Sequence, residues 1–142
     1  MTNVVFVLCA PAWVAYFTGN IRTLPERVCI PHPALQEFVL QLVTVDEVLP
    51  AYLNEVVTPY PPTPLQSLMF YGDDRIRMMK EGSGGFNVQP SIVVIGPQYS
   101  RVNIMVTKRI RAIRVDFKPG GLYRLLRIPC LSYMMTASML PI

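Results

Sequence analysis

The sequence predicts one mostly β (α+β) domain, a small barrel or sandwich with short flanking helices. The chain has 142 residues, which is the size of a single domain. Its apolar fraction of 51% is enough to bury a core, while its 14 prolines disfavour long helices and central strands. Short apolar segments separated by turn residues recur along the second half of the chain, as they do in β-barrels and β-sandwiches.

The N-terminal segment is not assigned to that domain. Residues 4–17 form an uninterrupted apolar run, but a membrane-spanning helix needs about 20 such residues, and Pro11 breaks this one. A secretory signal requires a basic side chain before its apolar run, and none precedes this one. We therefore predict that residues 1–27 are an N-terminal extension whose role the sequence leaves open. We predict that residues 28–142 form the domain, and that the protein is cytoplasmic and makes no membrane contact.

A helix and a strand are predicted at the start of the domain. Residues 34–40 have helical spacing, which places Leu35, Phe38 and Val39 on one face. Residues 40–45 alternate and are rich in β-branched side chains, as a strand should be. Residues 57–64 contain four prolines, so we expect an extended loop or an edge segment there.

Short strands fill the second half of the chain, and turns such as 72–74 and 81–85 separate them. The last strand places Arg114 and Asp116 on the face opposite to Phe117. We expect outward-pointing arginines on such a strand to form a solvated face. The predicted strands cover residues 65–71, 75–80, 91–95, 102–106 and 111–117.

Residues that support catalysis or metal binding are scarce. His32 is the single histidine and cannot form a metal site by itself, and the three cysteines have no C-x-x-C spacing. Asp73 and Asp74 are adjacent in a turn, where we expect both carboxylates to point into water. The sequence therefore predicts reduced cysteines, no cofactor, no metal site, no catalytic residue and no enzymatic activity.

The charge of the chain is unevenly distributed. Residues 101–142 contain eight basic groups and one acidic group, whereas residues 1–100 have an acidic excess. A basic stripe is typical of nucleic-acid surfaces, but this one lacks the interleaved aromatic residues of a stacking platform and shows no helix-turn-helix pattern. We therefore expect no direct DNA contact, and an acidic partner or an anionic ligand is somewhat better favoured.

One segment near the C-terminal end resembles a family signature. Residues 115–126 are VDFKPGGLYRLL, which is similar to the F-x-P-G-G-x-x-x-L-L element in the N-terminal domains of AraC-type bacterial transcription regulators. Residues 31–39 (PHPALQEFV) and 95–98 (IGPQ) are similar to the opening helix and to a glycine turn of those domains. The resemblance implies a small cupin-like β-barrel with short flanking helices.

The physical role of this element can be predicted from its residues. Pro119 fixes φ and ends the strand, and the two glycines after it can turn with positive φ. Leu122, Leu125 and Leu126 are expected to dock a short helix on the sheet. We predict that the element builds the fold and does not contact a ligand. Its structural residues are Phe117, Pro119, Gly120, Gly121 and Leu125.

The resemblance implies a ligand-sensing or dimerisation domain of an AraC-type transcription regulator. We expect it to lack its own DNA-binding module, because the two helix-turn-helix units that follow such domains are not in this sequence. One hypothesis is a truncated or frame-shifted gene product. The other is a free-standing sensor that pairs with full-length relatives. The expected partners are a small-molecule effector and a second copy of the chain or a full-length regulator.

Three alternatives remain open from sequence. They are a stand-alone small-molecule-binding module, a metal-dependent cupin enzyme, and a membrane-anchored protein that uses residues 4–17. No ligand-binding residues are assigned, because strand residues expected to point inward, such as Phe70 and Met105, are equally compatible with a plain core.

Overall fold

Antiparallel strands dominate the structure, a computed structural model that describes residues 26–72 and 75–127. Within these ranges the strands form two sheets. In spatial order, the five-stranded sheet contains β1 (Arg27–Cys29), β2 (Val39–Val48), β9 (Arg109–Phe117), β4 (Gln66–Tyr71) and β7 (Ile92–Ile95). The four-stranded sheet contains β3 (Glu55–Tyr60), β8 (Val102–Thr107), β5 (Arg77–Lys80) and β6 (Asn87–Val88).

The helical segments are short. A 3-10 helix covers Pro33–Leu35, and an α-helix, α1, covers Gly121–Leu126. No helix in the described ranges is long and apolar enough to cross a membrane. The two sheets and these short helices confirm the predicted fold class, a mostly β domain of small cupin-like architecture.

The two sheets face each other across an apolar core, which we call the inner core. Its members come from both sheets and from the loops between them, so their packing holds the sheets together. Each buried aliphatic side chain of this size contributes roughly 1.5–3 kcal/mol relative to an exposed one. The inner core consists of Leu49, Val56, Ile76, Val106, Ile110 and Ala112.

A second apolar cluster, the outer core, covers the opposite face of the five-stranded sheet. Leu122 of α1 is fully buried there against Phe117 of β9. Because successive side chains of a strand point to opposite faces, β9 contributes to both cores. The outer core consists of Val39, Leu68, Val94, Phe117 and Leu122.

The corner between β9 and α1 depends on two glycines for different reasons. Gly120 has a φ of +73°, a conformation that glycine adopts without strain. Gly121 lies so close to the Phe38 carbonyl oxygen that an added Cβ would overlap it. The Lys118 amide donates a hydrogen bond to the same Phe38 oxygen at 2.9 Å. The corner is therefore tied to the start of β2, where no side chain can be inserted.

The helix predicted over residues 34–40 is wrong. Only the 3-10 turn forms, and β2 already begins at Val39, which pairs with Phe117. The reason is tertiary, because the Phe38 carbonyl accepts a hydrogen bond from Lys118 of the corner and Val39 pairs with β9, so the turn does not continue as a helix. Leu35 accordingly remains 38% exposed, since no helix buries it.

The predicted strands all form, with ends shifted by a few residues. The proline-rich segment supplies β3, an edge strand in which Pro59 is tolerated because one side of the strand needs no donor. Residues 1–25, Asp73 and Asp74 lie outside the described residues, so the turn predicted at 72–74 and the boundary at residue 28 stay predictions.

Candidate functional site

The inner face of β9 changes from apolar to polar along its length. Ile110 and Ala112 belong to the inner core, and the next two side chains on that face are Arg114 and Asp116. Asp116 is 1% exposed and the Arg114 side chain 15%, whereas Ile113 on the opposite face is 44% exposed. The expectation that Arg114 belongs to an outward, solvated face is therefore wrong. These charged groups lie between the sheets.

Asp116 is held by three side chains. Ser67 Oγ donates a hydrogen bond to Oδ1 at 2.6 Å, and Gln41 Nε2 donates to Oδ2 at 2.8 Å. The strand register places both donors directly opposite Asp116, one on each neighbouring strand. Arg114 Nε lies 3.0 Å from Oδ1. A buried carboxylate needs this degree of compensation, because an unpaired charge between the sheets would be strongly destabilising.

Arg114 connects the two sheets. Its Nη1 donates a hydrogen bond to the Tyr60 hydroxyl at 3.0 Å, and its guanidinium carbon lies 5.8 Å from the centre of the Tyr60 ring. Tyr60 belongs to β3 of the four-stranded sheet, whereas Arg114 belongs to the five-stranded one. On the solvent side, Arg114 Nη2 lies 3.9 Å from Glu26 Oε2. We call Gln41, Tyr60, Ser67, Arg114 and Asp116 the polar cluster.

The protonation states of the cluster follow from burial and from charge. Burial raises the pKa of the Tyr60 hydroxyl, and the nearby Arg114 offsets only part of that rise. Burial likewise raises the pKa of Tyr71, and the neighbouring Tyr60 raises it further. Burial alone would lower the pKa of Arg114, but Tyr60 and Asp116 outweigh it and raise the pKa. Both phenols are therefore neutral, and the guanidinium is charged, at physiological pH.

Two buried polar atoms on the inner side of the four-stranded sheet have no hydrogen-bond partner in the described residues. Thr58 Oγ1 lies on β3, two positions before Tyr60 and on the same face. Gln89 Oε1 belongs to a side chain that is 2% exposed and follows β6, opposite Ile76. Such atoms are costly to bury unpaired, so they are candidate ligand contacts.

The residues that the sequence predicts to be structural lie outside the polar cluster. Phe117 is buried in the outer core, Gly120 and Gly121 form the corner, and Pro119 is exposed. Leu125 is 36% exposed and Leu126 is 43% exposed in the described part of the chain. Of the three leucines expected to dock the helix, only Leu122 is buried. That the element builds the fold and does not contact a ligand stays a prediction.

Three further residues singled out from sequence also lie outside the polar cluster. Phe70 and Met105 occupy outer faces of the two sheets, since each alternates with an inward neighbour, so the expectation that they point inward is wrong. The exposed His32 caps the 3-10 helix, with Nδ1 accepting a hydrogen bond from the Ala34 amide at 3.3 Å.

The polar cluster was not predicted from the sequence. Its only local signal is the pair Arg114 and Asp116 at alternate positions of an otherwise apolar strand. The remaining members are uncharged residues distant in sequence. Strand pairing brings Gln41 and Ser67 to Asp116, and the packing of the two sheets brings Tyr60 to Arg114.

Much of the basic stripe is paired inside the protein. Arg109 Nη2 lies 2.7 Å from Asp46 Oδ1, and Arg111 Nε lies 3.7 Å from Oδ2. The hydrogen bond from Arg109 lowers the pKa of Asp46. Arg124 pairs with Glu37. The basic excess in the sequence therefore overstates the positive charge that these strands offer to a partner.

Metal binding finds no support in the ranges that the structure covers. No group of three or more histidine, cysteine, aspartate or glutamate side chains lies close enough together there to hold a metal ion. The polar cluster contains one carboxylate that is already saturated by protein donors.

Comparison with known proteins gives a family and distant structural similarities. The family described as "Domain of unknown function (DUF6597)" matches residues 27–136. No curated protein matches the sequence.

Three solved structures show distant similarity. Protein NMB1881 from Neisseria meningitidis is 10% identical with a TM-score of 0.45, over 70% of this chain and 90% of that one. A candidate mannose-6-phosphate isomerase from Ralstonia eutropha JMP134 is 9% identical with a TM-score of 0.47, over 74% and 94%. The iron(II) form of HppE is 12% identical with a TM-score of 0.39, over 65% and 48%. Similarities at this level assign no ligand and no activity.

Proposed function

The chain belongs to the DUF6597 domain family, and on this premise we propose that it is a small-molecule-sensing domain of an AraC-type transcription regulator. In this proposal the effector binds between the sheets at the polar cluster and favours one arrangement of a dimer. The partner is a second copy of the chain or a full-length regulator. The chain itself makes no direct contact with DNA or a membrane, acts in the cytoplasm and catalyses no reaction.

The observation that carries the binding part is the bridge from Arg114 to Tyr60. It links the two sheets through polar atoms at 3.0 Å, where an apolar contact would serve the fold equally well. The Thr58 hydroxyl, which has no hydrogen-bond partner among residues 26–72 and 75–127, lies on the same strand face as Tyr60. A ligand bound there would contact both sheets at once, so its binding energy would change how they are held together.

The regulatory part of the proposal is supported by the sequence element at residues 115–126. The element includes Asp116 of the polar cluster, but its signature residues from Phe117 onward form the corner and α1 on the outer side of the sheet. The two parts can therefore fail separately, and each has its own test.

The binding part is tested by amide chemical-shift mapping with a panel of small metabolites. We expect a bound metabolite to shift the amides of Thr58, Tyr60 and Arg114 first. Tyr60→Phe should weaken that binding by about two- to tenfold, the size of one net hydrogen bond. Tyr52→Phe is the matched control, because Tyr52 is 80% exposed. Shifts confined to residues remote from the cluster would contradict the proposal.

The regulatory part is tested by the DNA that follows the codon for Ile142 and by sedimentation. Two helix-turn-helix units in the same reading frame are expected, and the mapped metabolite should change the dimer dissociation constant. If the DNA encodes no such units and the metabolite leaves association unchanged, the alternative of a stand-alone binding module is favoured instead.

A further inference from the structure

The chemistry of the polar cluster defines the class of ligand that it accepts, given the proposed function. We infer that the ligand is an uncharged molecule with hydroxyl or amide groups, and not a carboxylate or a phosphate. The inference comes from two features of the cluster, its internal charge balance and the kind of hydrogen-bonding atoms it leaves unused.

The positive charge of Arg114 is already balanced by the protein. Its Nε lies 3.0 Å from Asp116 Oδ1, and its Nη2 lies 3.9 Å from Glu26 Oε2. Asp116 is 1% exposed, so solvent and salt screen its negative charge poorly. An anion that approached Arg114 would also approach this carboxylate, and like charges repel strongly where the dielectric constant is low. The cluster therefore disfavours anions even though it contains an arginine.

The hydrogen-bonding atoms that remain unused are uncharged. Thr58 Oγ1, on the same strand face as Tyr60, is buried without a partner in the described residues. The Tyr60 hydroxyl accepts a hydrogen bond from Arg114 and keeps its own proton to donate. Because burial raises the pKa of Tyr60, this proton is present at physiological pH. Hydroxyl and amide groups of a neutral ligand can pair with both of these atoms without bringing a charge between the sheets.

Access to the cluster is from the side of Glu26. The Glu26 side chain is 39% exposed and the Arg114 side chain is 15% exposed, whereas the Asp116 side chain is 2% exposed. Exposure therefore decreases along the line from Glu26 through Arg114 to Asp116. A ligand that enters there meets the carboxylate of Glu26 first, which again disfavours an anion.

The experiment uses matched pairs of neutral and anionic probes on the full chain. Suitable pairs are acetamide with acetate, glycerol with glycerate, and benzamide with benzoate. Affinities are measured by amide chemical-shift titration, and the shifted amides locate each probe. The neutral member of a pair should bind about tenfold more tightly, which corresponds to about 1.4 kcal/mol. Tyr60→Phe should weaken the neutral member, and Tyr52→Phe should not.

A charge substitution provides a second, independent arm. Asp116→Asn keeps the size of the side chain but leaves the charge of Arg114 without its nearest partner. In this variant the preference should reverse, so that acetate, glycerate and benzoate bind more tightly than their neutral counterparts. If the variant does not fold, the wild-type pairs and Tyr60→Phe still decide the question.

The outcomes separate this inference from the proposed function. Tighter binding of the anionic probes to the wild-type cluster would overturn the inference and leave the proposed function standing. Unchanged preference in a folded Asp116→Asn variant would also overturn it. If no probe shifts the amides of Thr58, Tyr60 or Arg114, the proposed function fails, and the inference fails with it.

Discussion

The space between the two sheets has an apolar end and a polar end, and both are built on the same strands. On β9, Ile110 and Ala112 face the inner core, while Arg114 and Asp116 on the same face form the polar cluster. The inner core stabilises the fold through non-directional burial of apolar surface. The polar cluster depends on fixed donors and acceptors, and the cost of desolvating its charges offsets most of their attraction. Apolar burial and buried polar pairing are therefore separated along a single strand face.

Removal of the buried carboxylate should have the largest effect. In Asp116→Ala, the guanidinium of Arg114 loses its nearest counter-charge, and Ser67 and Gln41 lose their acceptor. We expect the free energy of unfolding to fall by about 3–5 kcal/mol, measured by urea denaturation. Asp46→Ala is the control, because that carboxylate forms its ion pairs on the surface and its loss should have a much smaller effect. Equal effects of Asp116→Ala and Asp46→Ala would contradict the distinction between the buried carboxylate of the polar end and a surface carboxylate.

A double substitution sharpens the same comparison. If Arg114→Met and Asp116→Leu are combined, no buried charge remains, and the polar end becomes apolar like the inner core. The free energy of unfolding should recover most of the loss seen in Asp116→Ala, since apolar replacements of buried ion pairs are often neutral or stabilising. Probe binding at Tyr60 should nevertheless be lost. A double variant as unstable as Asp116→Ala would show that the cluster serves the fold.

Truncation within the inner core should be nearly as destabilising, but for a different reason. Ile76 is 2% exposed at the apolar end. Ile76→Ala should cost about 2–5 kcal/mol through lost apolar burial and a residual cavity. Because Ile76 is outside the polar cluster, the variant should keep the relative affinities of the neutral and anionic probes. A change in that preference in folded protein would show that the two ends are coupled.

An alkaline pH titration tests the polar end, and we expect a smaller change in the free energy of unfolding. Burial raises the pKa of Tyr60 in the folded state above its unfolded value of about 10. The folded state therefore binds this proton more tightly, and the associated stability is complete below the unfolded pKa and is lost as the pH rises through the folded pKa. The free energy of unfolding should fall above about pH 10, and less steeply in Tyr60→Phe. In Tyr52→Phe, at a residue that is 80% exposed, the free energy of unfolding should fall as steeply as in the wild type.

Truncation of the exposed helix face should have the smallest effect. Leu125 is 36% exposed, while Leu122 on the same helix is fully buried in the outer core. Leu125→Ala should change the free energy of unfolding by about 0.5 kcal/mol or less, measured by urea denaturation. Leu122→Ala is the matched comparison and should cost about 2–5 kcal/mol. A large effect of Leu125→Ala would show that this leucine is buried in solution.

The strands were accessible from the sequence because local patterns encode them. Alternation, β-branched residues and the turn residues between strands located β4, β5, β7, β8 and β9 within a few residues, but not the two-residue strand β6. The helix predicted over residues 34–40 failed because a local pattern competes with long-range bonds, here those from Lys118 to Phe38 and from Phe117 to Val39. The candidate site was largely out of reach for the same reason, since Gln41 and Ser67 are ordinary polar residues until the register places them beside Asp116.

The sequence by itself determined that β9 has two faces, with Arg114 and Asp116 on one and Phe117 on the other. Only the tertiary structure decided which face is enclosed between the sheets. A two-residue period separates the side chains of a strand into two sets but does not say which set points inward when apolar residues pack on both sides. The answer depends on the second sheet and on α1, whose contacts with β9 come from residues distant in the chain.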